Sequence, residues 1–308
     1  MKKLIFAAAG AALVSLASCS DNNSVSTMSI PVTTYSMITN LVDGGAPVVA
    51  GTLYKFNLDM MTGTATVGGE LPLSTDNKVT FVTNNLTCAI GTYTFEESYR
   101  EVIKMESMKA GTASNKEDLI NFKCDLTQLA YFPKEIQGLP EFSYPTYLRY
   151  AVMNFNLGQN YLVRTFWPDM TFRGTTTTSY PASDGSLKTF TNKDVQYRIV
   201  MNLKEKKATV ILYDVKLAEE MPQTISNIVL SNLDLGFSSS GIYVSGSNVV
   251  PSVYEGGVAT PNSKYTFDSF QCDMTGDLTT ATMRYKVAGS YSGHFSGSYI
   301  LKVASNED

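Results

Sequence analysis

Histidine is nearly missing from this chain: one residue, His294, serves 308 positions. A Ser-His-acid triad would have to be built on it alone, and a catalytic zinc usually draws on several His or Cys ligands. Gly293 and Gly297 flank it, so it reads as a solvent-exposed residue at a turn or strand edge. Cysteine is also scarce, at four residues, and no two of them stand at metal-ligand spacing. No Gly-rich phosphate loop is present. Positive charge is not in excess, with 24 Lys and Arg against 28 Asp and Glu for a net charge of −4. A nucleic-acid surface needs a basic stripe. The compact basic run Lys204-Glu205-Lys206-Lys207 falls where a hairpin turn is expected, so nucleic acid is set aside as a partner. These absences leave carboxylate-only chemistry, as in glycoside hydrolysis, as the one catalytic class still open. No cofactor and no enzymatic activity are expected.

Apolar runs are short everywhere. The first, residues 4–14, follows Lys2 and Lys3 and ends in Leu16-Ala17-Ser18-Cys19. Spanning a bilayer takes about 20 apolar residues as a helix, so this segment reads as a cleaved export signal and not as an anchor. Leucine, two small residues and cysteine in that order resemble the bacterial lipobox. The resemblance implies that Cys19 is lipidated and becomes the new N-terminus, and several acyl chains on one residue make a stable anchor. Residues 19–29 then read as a polar tether. Loss of residues 1–18 removes two lysines, leaving 22 basic against 28 acidic residues and a formal charge of −6.

The remaining sequence repeats itself. Tyr54-Lys55-Phe56-Asn57-Leu58 followed by Ala65-Thr66-Val67 matches Tyr197-Arg198-Ile199-Val200-Met201 followed by Ala208-Thr209-Val210. Asn85-Leu86 answers Asn232-Leu233, and Phe122-Lys123-Cys124-Asp125-Leu126-Thr127 answers Phe270-Gln271-Cys272-Asp273-Met274-Thr275. Leu148-Arg149-Tyr150-Ala151-Val152 closes the series against Met283-Arg284-Tyr285-Lys286-Val287. Four matches in one order predict a duplication. Alternating apolar and polar residues broken by Gly, Asn, Ser and Pro predict strands and hairpins. The expected fold is all-β, with two tandem similar β-barrel or β-sandwich domains over residues 30–163 and 164–308.

Helix signals are few. Residues 98–108 offer a capping box from Ser98 to Glu101, with Tyr99, Val102 and Met105 at helical spacing, and compete evenly with a strand through Val102-Ile103-Lys104-Met105. Residues 175–178, all threonine, read as a linker or an edge strand. Cys88, Cys124 and Cys272 read as small core hydrophobes, with a Cys88–Cys124 bridge as the alternative. Trp167, the sole tryptophan, stands at the expected domain boundary as a candidate sugar-stacking platform or as packing there.

The lipobox, the Gly/Thr/Asn-rich strands and blocks such as residues 224–233 (TISNIVLSNL) resemble the calycin-like lipoproteins of gut Bacteroidales. That resemblance implies lipocalin-related barrels, a lipid anchor in the outer membrane, and either a surface or a periplasm-facing location. Among Bacteroidetes lipoproteins, acidic residues behind the lipidated cysteine accompany surface display, and here Asp21 alone answers that pattern. Two functions follow as expectations. One is a non-enzymatic binding module for a small apolar molecule, a glycan or an envelope protein. The other is a structural or adhesive surface protein resembling the fimbrillin-like lipoproteins.

Overall fold

The computed structural model describes residues 27–95, 98–131, 146–255 and 258–300. Cys19 and its motif residues Leu16, Ala17 and Ser18 lie outside them. The first barrel is made from β1 (Thr27–Asn40), β2 (Val48–Asp59), β3 (Thr64–Pro72), β4 (Lys78–Val82) and β5 (Leu86–Phe95), then β6 (Ser98–Thr112), β7 (Asp118–Tyr131), β8 (Thr146–Leu157) and β9 (Tyr161–Phe166). Eight of them run in chain order around a ring, β1-β2-β3-β5-β6-β7-β8-β9, and β9 returns to β1. Alternation builds the wall. In β2 the side chains of Thr52, Tyr54, Phe56 and Leu58 are buried while Leu53, Lys55 and Asn57 face outward, the period-2 pattern of a strand with one face on a core.

The second barrel repeats this ring with β10 (Asp169–Pro181), β11 (Leu187–Asn202), β12 (Lys207–Val215), β13 (Ile225–Ser238) and β14 (Gly241–Val249), then β17 (Phe267–Thr275), β18 (Thr280–Val287) and β19 (Tyr291–Ile300). A short hairpin, β15 (Ser252–Glu255) and β16 (Val258–Pro261), pairs with β13 outside the ring. Helix among the described residues is the single 3-10 turn Ser263–Tyr265. No helix among them is long and apolar enough to cross a membrane.

Three of the four sequence matches fall on equivalent rungs. The fourth does not: Cys124 pairs with Met153 and Cys272 with Met283, so Met283 answers Met153 and not Leu148, and the Arg-Tyr letters shared by residues 148–152 and 283–287 lie five residues out of register. Phe56 pairs with Val67 and Leu58 with Ala65 in the first barrel; Ile199 pairs with Val210 and Met201 with Ala208 in the second. Ala65 then meets Leu86, as Ala208 meets Leu233. Cys124 lies between Met105 and Met153, and Cys272 between Val244 and Met283. Where β13 is one strand with a register shift and Asn232 in a left-handed conformation (φ 61), the first barrel splits the same path into β4 and β5 at residues 83–85. The Thr83 hydroxyl there takes a bond from the Val67 N–H at 2.9 Å. Both are bulges, at which an extra residue bends the strand.

Of the two readings left open for residues 98–108 the structure takes the strand, because β6 pairs on both sides with β5 and β7. Three expectations need correction. The threonines at 175–178 sit inside β10, between β11 and β19, so they form neither a linker nor an edge. Residues 27–29 of the expected tether already belong to β1, whose Thr27 pairs with Asp59. His294 is not at a turn or edge: β19 is flanked by β10 and β18, and the imidazole faces outward from the wall. The chain divides into two compact units between Thr165 and Phe166, with Thr39–Pro47 counted in the second.

Candidate functional site

A calycin-like barrel offers its lumen first as a ligand site. In this protein both lumens hold side chains. In the first barrel the rings of Tyr54, Phe81, Phe155 and Phe122 follow one another with centroids 6.2, 5.4 and 5.4 Å apart, and all four are buried. In the second, Tyr197 packs on Phe295 at 4.5 Å and Tyr285 on Phe267 at 5.5 Å. Gly293 exists for this packing: a Cβ there would stand 2.1 Å from the Tyr285 ring. The glycines beside His294 thus serve the inner face of the wall and not a turn.

Each lumen carries a tyrosine hydroxyl held by a hydroxyl on the neighbouring strand. Ser36 and Tyr54 approach to 2.6 Å, Thr176 and Tyr197 to 2.8 Å. Loss of hydration disfavours the phenolate, so burial pushes both phenols above their ordinary value. They stay neutral and act as hydrogen-bonding partners. The connection from β12 to β13 adds a clasp. Glu220 accepts from Tyr180 and from Lys188, both at 2.6 Å, and these bonds hold its carboxyl at a pKa of about 2. Leu217 and Ala218 of the same connection are buried.

Open space lies on the outside of the first barrel. A hollow of about 240 Å³ is lined by Glu106, Ser107 and Met108 of β6 and by Asn121, Phe122 and Lys123 of β7. Its origin is local. The β7–β8 ladder shifts register between Ile120 and Lys123, and Asn121 takes a left-handed conformation (φ 54), which Asn tolerates better than most residues. Met108 is 75% exposed at its rim. Apolar, amide, acidic and basic groups therefore face one recess, a mixture suited to gripping a polar molecule with an apolar face. A second hollow of about 30 Å³, bounded by Leu58, Met60, Cys88, Ile90 and Ile103 among others, has room for water only and not for a ligand.

The singled-out residues do not come together. Trp167 is half-buried in the two-residue link between β9 and β10. Cys88 is half-buried, while Cys124 and Cys272 are buried; all three are free thiols. Cys88 and Cys124 are both opposite Met105, two strands apart. That spacing, roughly 9.5 Å, exceeds the roughly 7 Å that a disulfide can bridge. Burial pushes the Cys124 and Cys272 thiols up, so they are unreactive in the fold. Among the described residues no group of three His, Cys, Asp or Glu side chains is placed to hold a metal. Sequence reasoning missed the β6–β7 hollow; its only trace is Asn121 interrupting an apolar alternation.

No protein-family model matches the chain, and no curated protein does. Among solved structures it is similar to intact Ap-TbpB with its N and C lobes, at 9% identity over 89% of this chain and 79% of that one, with a TM-score of 0.27. It is also similar to isotype 1 transferrin binding protein B from serogroup B Neisseria meningitidis (10% identity, 89% and 78% coverage, TM-score 0.25). A mutant of transferrin binding protein B from Haemophilus parasuis Hp5 matches at 7% identity, 90% and 77% coverage and a TM-score of 0.25. Likeness at this level carries no argument about partners.

Proposed function

We propose that the protein is a cell-envelope lipoprotein, anchored to the outer membrane through lipid on Cys19, that binds a glycan or an envelope protein on the outside of its barrels and catalyses nothing. The observation that carries this reading is the contrast between filled lumens and an open, chemically mixed hollow on the β6–β7 wall. A small apolar molecule in a lumen would have to displace rings such as Phe155 or Phe295, both 0% exposed. The calycin-like resemblance of the sequence accords with anchored barrels, and fold by itself does not fix function.

The structural or adhesive alternative would favour strand-to-strand assembly, which needs a long open edge. The edges seen are blunted. β4 is covered where Ser114 donates its N–H to the Thr80 carbonyl at 2.9 Å and its hydroxyl accepts from the Thr80 N–H at 3.1 Å. β16 is four residues long and ends in Pro261. Binding is therefore the preferred reading.

The test offers the mature chain, made soluble by Cys19→Ala, to a glycan panel and to a solubilised envelope fraction, scoring retention and turnover. Retention without product is expected. Met108→Ser with Lys123→Glu should weaken it by about tenfold, equivalent to about 1.4 kcal/mol, and Trp167→Ala serves as a second probe at a residue that does not line the hollow. Product formation would overturn the non-catalytic reading, and retention indifferent to the double variant would remove the hollow as the site.

A further inference from the structure

The two barrels build one turn from chemistries that differ at its tip: Met60 answers Leu203, both apolar, while Met61, Thr62 and Gly63 answer Lys204, Glu205 and Lys206. Between β2 and β3 the chain reads Asp59-Met60-Met61-Thr62-Gly63-Thr64; between β11 and β12 it reads Asn202-Leu203-Lys204-Glu205-Lys206-Lys207. The geometry is shared. Asp59 accepts from the Met61 and Thr62 N–H groups, and Asn202 accepts from the Glu205 N–H. Gly63 (φ 63) and Lys206 (φ 53) occupy the same left-handed position. Their carbonyls accept from Cys88 and Leu235 respectively, both at 2.9 Å. The fold therefore accepts charge at this turn, yet the first barrel presents Met60 and Met61 there, 46% and 79% exposed, with Ile90 close by at 51%.

The position of this turn gives its apolar character a use. Thr27, where β1 begins, pairs with Asp59, the residue that caps the turn. Seven residues lie between Cys19 and Thr27, and the eight Cα steps that join them reach at most roughly 28 Å when fully extended. We propose that the Met60–Met61 turn end of the first barrel rests in the headgroup region of the bilayer that holds the Cys19 lipid, so that lipid and turn form a two-point attachment. The inference depends on the anchor proposed above. The acyl chains on Cys19 hold the protein to the bilayer, and a second apolar contact adds buried area and fixes which end of the barrel faces the lipid. Lys204 and Lys206, exposed at the corresponding turn of the second barrel, give that turn a chemistry suited to water and not to lipid.

Methionine oxidation reads this directly, because peroxide converts exposed thioethers to sulfoxides. The lipidated mature chain is placed on vesicles of phosphatidylethanolamine with a minor share of phosphatidylglycerol and compared with the soluble Cys19→Ala chain. Met108, exposed on the half of β6 nearer Thr112, is the internal reference. The expected result is that oxidation of Met61 relative to Met108 slows by about fivefold or more on vesicles, as for a side chain set several ångströms into the interface. An unchanged ratio on a chain that carries lipid and sediments with vesicles overturns the inference and leaves the anchor standing. Protection seen in native membranes and not on vesicles overturns it in favour of a protein partner at the turn. Absence of lipid from Cys19 by intact mass overturns the anchor and this inference with it.

Discussion

The first barrel and the second share a ring and differ at its margins. Both close eight strands in chain order, both seat a cysteine between two apolar neighbours, and both tie a lumen tyrosine to a hydroxyl one strand away. They part at the seam. The second barrel joins β12 to β13 along a continuous strand, whereas the first joins β3 to β5 by two rungs and gives the rest of β3 to β4. They part again after the fifth ring strand, where β6 returns at once to β7 but β14 runs on into the β15–β16 hairpin. What closing a ring demands is kept in both copies; turns, hollows and add-on strands are where the copies have been free to diverge, and the candidate contact surfaces lie in those places.

The comparison can be strained from its strongest point outward. Phe155→Ala removes the ring that bridges Phe81 and Phe122, a truncation that costs about 3–5 kcal/mol. Thiol labelling should then speed up by a hundredfold or more at Cys124, by about tenfold for each 1.4 kcal/mol lost, and stay unchanged at Cys272. Equal acceleration at both would show that the barrels do not open separately. Tyr54→Phe and Tyr197→Phe should each cost about 1–2 kcal/mol by denaturant unfolding, since each strands a buried hydroxyl. The same phenols predict a pH dependence. Their folded pKa values are raised, so the native state holds the proton that the unfolded state releases near pH 10, and stability is intact below that pH and falls above it. Each Phe variant should flatten that alkaline fall, and an unaltered slope would show that these phenols are not its source.

A smaller effect separates the two bulges. Asn232→Ala forces a left-handed conformation on alanine and should cost about 1 kcal/mol, while Asn85→Ala, where φ is not positive, should cost visibly less by the same measurement. Equal losses would mean that the bulges are not built differently. The smallest effect belongs to Met61→Lys, which copies Lys204 of the second barrel and should change folding stability by no more than about 0.5 kcal/mol. A larger loss would show that the apolar turn is a requirement of the first barrel's fold.

Much of the ring was legible in the sequence. Tyr54 and Tyr197, Ala65 and Ala208, and the two Cys-Asp pairs were matched by letters alone and occupy equivalent rungs, because inward positions on a closed wall tolerate few side chains. Residues 98–108 were ambiguous for a physical reason: Val102 and Ile103 are both buried, which breaks the alternation of a strand and imitates helical spacing. Gly293 and Gly297 suggested a turn at His294, yet glycine there makes room for the rings of Tyr285 on the paired strand and of Phe295 on the same strand, a need that appears only once the strand register is known. The β6–β7 hollow was hidden for the same kind of reason, since it arises from a register shift between strands.

The central claim is that both lumens are filled and that function lies outside them. Native mass spectrometry of the soluble Cys19→Ala chain with excess long-chain fatty acid tests it directly. The expected spectrum holds the bare polypeptide, with no saturable adduct. One or two fatty acids retained at fixed stoichiometry, and lost on enlarging a lumen ring by Phe56→Trp or Phe295→Trp, would contradict it.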